Sequence, residues 1–410
     1  MSPIVTMCAL LLIAYLFDLT SSKTKIPSVI LLLFLGWLVH QLAVLFGFHI
    51  LNLESLLPIL GTIGLILIVL EGSLELEWKA DRKKIVLQSS VVALISILTQ
   101  AVIMAVFIKI GGYGSFGKGI VNMLPLCIIS SAVAIPTVRA MAAVTKEFVI
   151  YESSFSDIIG ILLFNFVALN TIIGVHSILI FILQVILMFI VSLAGTLALA
   201  FLLRRINHHI KFVPIILMII LIYEVTKEYQ LPSLIFIVFF GLFLGNLDKL
   251  RDFKYVRKWQ IDGIDKEIHR FKELSVEAAF LVRASFFILF GYLIKNSEIV
   301  NTQSLVWSVG TVALIFGVRA VLLKWVKMPL QPLLYIAPRG LITILLFLSI
   351  PVSKQIPAIV NKSLIIQVII LSTLMMMIGM MRKTKEVAVN AQTEEVLPVT
   401  DETTYSQLTD

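Results

Sequence analysis

Charge is scarce in this chain of 410 residues: 14% of it is Asp, Glu, Lys or Arg, against 59% hydrophobic. No soluble domain needs that much apolar surface, so a water-soluble fold is excluded. Cysteine is almost absent. Cys8 and Cys127 both lie in apolar runs, which excludes a disulfide framework. No polar block is long enough for a nucleotide-binding or regulatory domain, and no cofactor is expected. The first apolar run, "MSPIVTMCALLLIAYLFDLT", lacks a basic leader and a small-residue cleavage site. It reads as a retained helix rather than a signal peptide. No nucleophile elbow or serine/histidine pairing appears, which argues against an enzyme. The net charge of +8 does not point to nucleic acid, because the basic residues fall mostly between apolar runs, where topology explains them.

What the chain does have is hydrophobic stretches of membrane-spanning length, from end to end. By a rule of about 20 residues per span, about thirteen fit. They lie near 3–20, 26–47, 55–73, 85–109, 119–141, 149–173, 176–203, 212–228, 231–247, 275–295, 302–325, 331–351 and 358–381. The expected fold class is an all-α polytopic membrane protein whose other partner is membrane lipid. Lys and Arg collect in alternate loops, from "SSKTK" and "WKADRKK" to "RRINHHIK" and "RKTK". That bias predicts a multi-pass protein of the cell membrane with the N-terminus outside and the C-terminus cytoplasmic. The basic stretch from Asp248 to Lys272 fits either an amphipathic surface helix or a plain loop. Residues 1–381 form the membrane domain, and the polar tail at 382–410 reads as disordered.

Two spans differ from the rest. The fifth, "LPLCIISSAVAIPTVRAMA", carries Ser130, Ser131, Pro136 and Thr137 mid-span. The twelfth, "QPLLYIAPRGLITILLFL", carries Pro338, Arg339 and Gly340. Proline removes a helical hydrogen bond and clashes with the preceding turn. Both helices are therefore expected to break inside the membrane, where only protein or a water-lined cavity can satisfy the freed backbone. The breaks fall at matching places in two halves, about 3–173 and 212–381, joined by a helix at 176–203. Paired interrupted helices in two halves point to a transporter built from inverted repeats, with its site at the breaks.

Polar residues gather in "VIYESSFSDIIGILLF", 149–164. Glu152 and Ser156 share a helix face, as do Ser153 and Asp157. Glu152 and Asp157, five apart, point about 140° from each other. One carboxylate can serve a site while the other meets a neighbouring helix. Arg283, Arg319 and Arg339 also lie within apolar spans. A buried charge is normally paired, although Arg283 and Arg319 are placed where snorkelling to the interface is the alternative. Glu71, in "LILIVLEGSLELEW", reads as an interfacial residue at a helix end.

These segments carry a resemblance. "YESSFSDIIGILLF" resembles the Glu-Ser-x-x-Asn-Asp signature of the monovalent cation/proton antiporter superfamily, in its sodium/proton exchanger branch. "LEGSLELEW", "IFGVRAVLL" and "APRGLITILL" resemble three further segments of that branch, in the same order. The resemblance implies two inverted repeats with crossed broken helices, and a homodimer. It implies that Asp157 binds ion and proton, that Ser153 is a site serine, and that Glu152 and Arg319 form a buried pair. It makes Arg339 an arginine of the broken-helix crossing. Two positions depart from the pattern. Ser156 stands where the branch has asparagine or aspartate, and "SSAVAIP" replaces a Thr-Asp-Pro segment, closer to the potassium-efflux-like branch.

The expected function is exchange of a monovalent cation, Na+ or K+, for a proton. Sodium and potassium take oxygen ligands, which Asp157, Ser153, Ser156, Ser130, Ser131 and the freed carbonyls can offer. With Ser156 unable to ionise, exchange is expected to be electroneutral. The alternatives are a channel or sensor on the same scaffold, or an intramembrane hydrolase.

Overall fold

Backbone groups in lipid find no water, so a spanning segment must satisfy them internally, and a helix does so. The computed structural model describes residues 3–24, 26–47, 53–76, 82–138, 141–170, 174–205, 212–229, 231, 233–247 and 265–394, and every regular element among them is helical. The first four long helices are α1 (Pro3–Thr24), α2 (Ser28–Leu45), α3 (Leu56–Glu75) and α4 (Lys83–Ile110). The fifth span is two pieces, α5 (Phe116–Cys127) and α6 (Ser131–Thr137). Then come α7 (Ala143–Leu169), α8 (Val175–Arg205), α9 (Phe212–Glu228), α10 (Ser233–Gly245), α11 (Asp265–Tyr292) and α12 (Thr302–Trp325). The twelfth span is one 3-10 turn, Leu333–Tyr335, an irregular stretch and α13 (Leu341–Leu348), and α14 (Lys362–Glu394) ends the described chain. Each of the thirteen expected spans is thus occupied by a helix or a broken helix. Among the described residues, nine helical segments are long and apolar enough to cross a membrane.

Three boundaries differ from the sequence reading. The break in the fifth span falls at Ile128–Ser130, not at Pro136, which lies one residue before the end of α6. Pro136 helps to end a half-helix, and the break is held open by groups from elsewhere in the fold. Residues 265–272 of the expected polar insertion are the first turns of α11, and 248–264 lie outside the described residues. The helix ending the membrane domain runs on to Glu394, past the expected boundary at 381; residues 395–410 lie outside the described residues.

Packing divides the helices into two groups. In one, α2 and α3 pack on α11, α3 packs on α10, and α10 packs on α8 and α9. In the other, α4 packs on α5, α7 and α12, α6 packs on α7, and α12 packs on α14. The second group holds both broken spans. The first touches it mainly through α3, which meets α6, α7 and α13. Small residues set the closest approach within the first group. A Cβ on Gly36 of α2 would run into the carbonyl of Ile288, and one on Gly291 of α11 into the backbone of Leu33. Backbone contact of this kind needs glycine, since lipid supplies no hydrophobic drive and helices associate through close packing.

Candidate ion-binding site

The two broken spans cross at their breaks. The Ser130 N–H donates to the carbonyl of Pro338 at 3.0 Å. At Gly340 a Cβ would strike the Ser130 side chain, so glycine is what lets the chains touch. Arg339, fully buried, lies across the crossing. Its Nε donates to the Leu126 carbonyl at 2.7 Å, and its Nη atoms donate to the carbonyls of Ala337 at 2.9 Å and Cys127 at 3.3 Å. These are freed carbonyls at the end of α5 and in the second break. Without donors they would be unsatisfied in the membrane interior, at a cost of several kcal/mol each on the order given by apolar transfer. Gln100 of α4 accepts from Arg339 at 3.2 Å and itself donates to Ser96.

α7 runs alongside. Its Ser156 hydroxyl accepts from the Ile129 N–H at 2.9 Å, in the middle of the first break. One turn of α7 thus fastens the irregular segment that proline alone does not create. Beside it, Asp157 Oδ2 accepts from the Ser131 N–H at 3.3 Å. Asp157 Oδ1 and the Ser130 hydroxyl are buried and have no hydrogen-bond partner among the described residues. Ser153 donates back to the Val149 carbonyl at 2.8 Å, which leaves its oxygen lone pairs available. Serine hydroxyls often bond the carbonyl four residues back in a helix.

Glu152 points away from this point, as the five-residue spacing predicts. Its Oε2 accepts from Arg319 Nη2 at 2.8 Å, and a second bond joins Oε1 and Nη1. Both residues are 1% exposed. Arg319 Nε also donates to the Leu333 carbonyl at 2.7 Å, beside the second break. The planar guanidinium suits such bidentate pairing. Arg319 is therefore a buried, paired residue and not a snorkelling one. Arg283 pairs as well, with Glu71 at 3.6 Å.

The sequence aligns with a family model described as "Sodium/hydrogen exchanger, transmembrane" over residues 8–383. The chain belongs to the sodium/hydrogen exchanger family. Its fold is similar to that of the sodium proton antiporter MjNhaP1 from Methanocaldococcus jannaschii at pH 8, with a TM-score of 0.70 and 19% identity. That match covers 91% of this chain and 98% of the other. An electron-microscopy structure of the same antiporter matches with a TM-score of 0.65 at 19% identity, covering 96% and 98%. Among curated proteins, none matches the sequence. The protein is thus a multi-pass membrane transporter of the exchanger family, not an enzyme, and its fold is the antiporter fold with crossed broken helices.

In this exchanger the fold recruits residues that sequence reasoning passed over. Gln100 carried a signal, being a polar residue inside the apolar run "ISILTQAVIM". Lys354 carried none. It sits in the connection after α13, and its Nζ donates to the carbonyls of Val167, Ala168 and Asn170 at 2.9 to 3.0 Å. It thereby caps the C-terminus of α7, where basic groups satisfy the last carbonyls. Asn122 of α5 bonds the same connection, donating to the Lys354 carbonyl at 2.7 Å and accepting from the Ile356 N–H at 3.1 Å. The end of the helix that carries Asp157 is thus tied to both broken spans.

Proposed function

We propose that the protein exchanges sodium for a proton across a membrane, with Asp157 binding the two in turn. The observation that carries this reading is the environment of Asp157. One oxygen is held by the Ser131 N–H, while the other is buried without a protein partner at the crossing of two broken helices. A proton and an alkali cation compete for a carboxylate in that setting, because withdrawal from water penalises its bare charge.

The oxygens offered to a cation are those of Asp157, Ser130 and Ser153, with carbonyls of the broken segments. Ser131 holds Asp157 in place through its N–H, and Ser156 holds the first break. Arg339 neutralises freed carbonyls, and the Glu152–Arg319 pair joins α7 to α12. The group containing α4–α7 and α12–α14 is suited to move as a unit against the group built on α2, α3, α10 and α11. The site would then open to one side at a time. A second reading, potassium as the cation, is favoured by "SSAVAIP" standing where the branch has a Thr-Asp-Pro segment, so that its aspartate is missing. We further propose a homodimer, as the resemblance implies.

Asp157→Asn tests the carrier. In proteoliposomes with a pH-sensitive dye, the wild type should move protons when sodium is added, and potassium run in parallel separates the two cations. The variant should insert and fold but move none at any cation concentration. Exchange that survives in Asp157→Asn would sink the proposal. Proton movement that follows voltage without added cation would indicate a channel.

A further inference from the structure

The last carbonyls of a helix have no partner within it, and those of α7 find theirs elsewhere. Asn170 serves the Phe166 carbonyl through its backbone N–H and its side-chain amide. The carbonyls of Val167, Ala168 and Asn170 all accept from Lys354 Nζ. An ammonium has three protons to donate, so Lys354 gives all of them to the end of α7. Its positive charge also suits the negative end of the helix dipole. Among the described residues no carboxylate forms an ion pair with it. The charge serves α7 alone.

Lys354 is itself fixed. It ends a 3-10 turn, Val352–Lys354, that follows α13. Asn122 of α5 donates to the Lys354 carbonyl and accepts from the Ile356 N–H. One point thus joins α7, the first broken span and the chain leaving the second. From Asp157 to Val167 the helix rises about 15 Å. On the other side of Asp157, Glu152 is tied to Arg319. The carboxylate therefore lies between two anchors, and a helix held on both sides of a residue neither slides nor tilts there. This matters because the bond between Asp157 and the Ser131 N–H, at 3.3 Å, is too long to fix the carboxylate alone.

We propose that Lys354 is a positioning residue for exchange: by anchoring the end of α7 to both broken spans, it sets the distance from Asp157 to the other oxygens of the site and with it the affinity for the cation. The inference rests on the reading of Asp157 as the carrier. A cation takes several oxygens at once, so its binding depends on how well they are held in place beforehand. A proton needs one carboxylate oxygen. Loosening the anchor therefore weakens cation binding more than proton binding.

The test is steady-state exchange in proteoliposomes as a function of sodium concentration. Lys354→Met keeps most of the side chain's stem and removes the ammonium. It should raise the apparent KM several-fold and leave kcat little changed, the pattern of lost binding. In a Cys8→Ser background, with Cys127 buried, Lys354→Cys should show the same high KM. Alkylating the purified variant with 2-bromoethylamine before reconstitution restores an ammonium at this place and should return KM toward the wild-type value. Alkylation with iodoacetamide, which adds a neutral group, should not. An unmoved KM in Lys354→Met, whether or not kcat falls, would overturn the proposal, and so would equal recovery with both reagents. Should the Lys354 variants fail to fold, Asn122→Ala decides. It frees the turn that carries Lys354 and keeps the ammonium, and it should also raise KM with kcat retained; a wild-type KM there would overturn the proposal. These outcomes are separate from that of Asp157→Asn, which is dead at every concentration if the carrier reading holds. Exchange surviving in Asp157→Asn defeats that reading, whereas a dead Asp157→Asn beside an unmoved KM in the Lys354 variants defeats only the role of Lys354.

Discussion

At Asp157 the two carboxylate oxygens differ, and that difference governs charge. Only one is committed to protein, through Ser131. The neighbouring Ser156 cannot ionise, and Glu152 is held on both oxygens by Arg319. One carboxylate is then left to trade a proton for a monovalent cation, so no net charge should cross. With membrane potential clamped or released by valinomycin and potassium, sodium-driven proton movement should be indifferent to the imposed voltage. A pH gradient that tracks the potential would identify Glu152 as a second proton site. The buried pair makes a separate prediction. Removing one partner leaves an uncompensated buried charge, which typically costs about 3–5 kcal/mol. Glu152→Ala and Arg319→Ala should each lower thermal stability, and the double variant should lose less than their sum. Additive losses in that cycle would reject the coupling.

At the scale of elements, the helices meet through very different contacts. Between α2 and α11 the contact is backbone on backbone, fixed by Gly36 and Gly291. Any side chain there must push the helices apart. Overfilling a packed contact costs about 1–3 kcal/mol, so Gly291→Leu should lower the thermal midpoint of the purified protein. Gly310 of α12 provides the control, because a Cβ there meets nothing within 4 Å. Gly310→Ala should leave the midpoint unchanged or slightly raised, since alanine favours helix over glycine. Equal losses from the two changes would contradict the packing argument. The first broken span shows a different logic. Its break sits between Pro125 in α5 and Pro136 in α6. It is fixed by Ser156, Arg339 and the Ser130–Pro338 bond rather than by either proline.

At the scale of the whole molecule, topology follows from where Lys and Arg lie. The segments after α1 and α3 are basic, whereas the connection between α4 and α5, 111–115, carries no charge and is flanked only by Lys109 at the end of α4 and Lys118 at the start of α5. We propose that the basic side is cytoplasmic. In intact cells, with Cys8→Ser as background, Lys118→Cys should be labelled by an impermeant thiol reagent and Lys84→Cys should not. Both positions are exposed. The reverse pattern would invert the orientation. The apolar outer surface of α8, with Leu179, Leu183 and Ile190 exposed, suits contact with lipid.

The sequence by itself determined the class of the protein. Span length, the alternation of basic loops and two interrupted spans are local properties, since lipid forces each segment to satisfy its own backbone. The placement of Asp157 and Glu152 on different faces was legible too, because helical spacing fixes it. Tertiary structure decided what local rules do not reach. It moved the first break away from Pro136, chose Glu152 for Arg319 and Glu71 for Arg283, and brought Gln100 and Lys354 to the broken spans. Each of these depends on a bond between residues far apart in the chain, such as Arg319 with Glu152 or Lys354 with the end of α7. Such a bond exists only once the helices that carry its two ends have packed, because a buried charge or a freed carbonyl takes its partner from whatever the fold brings beside it.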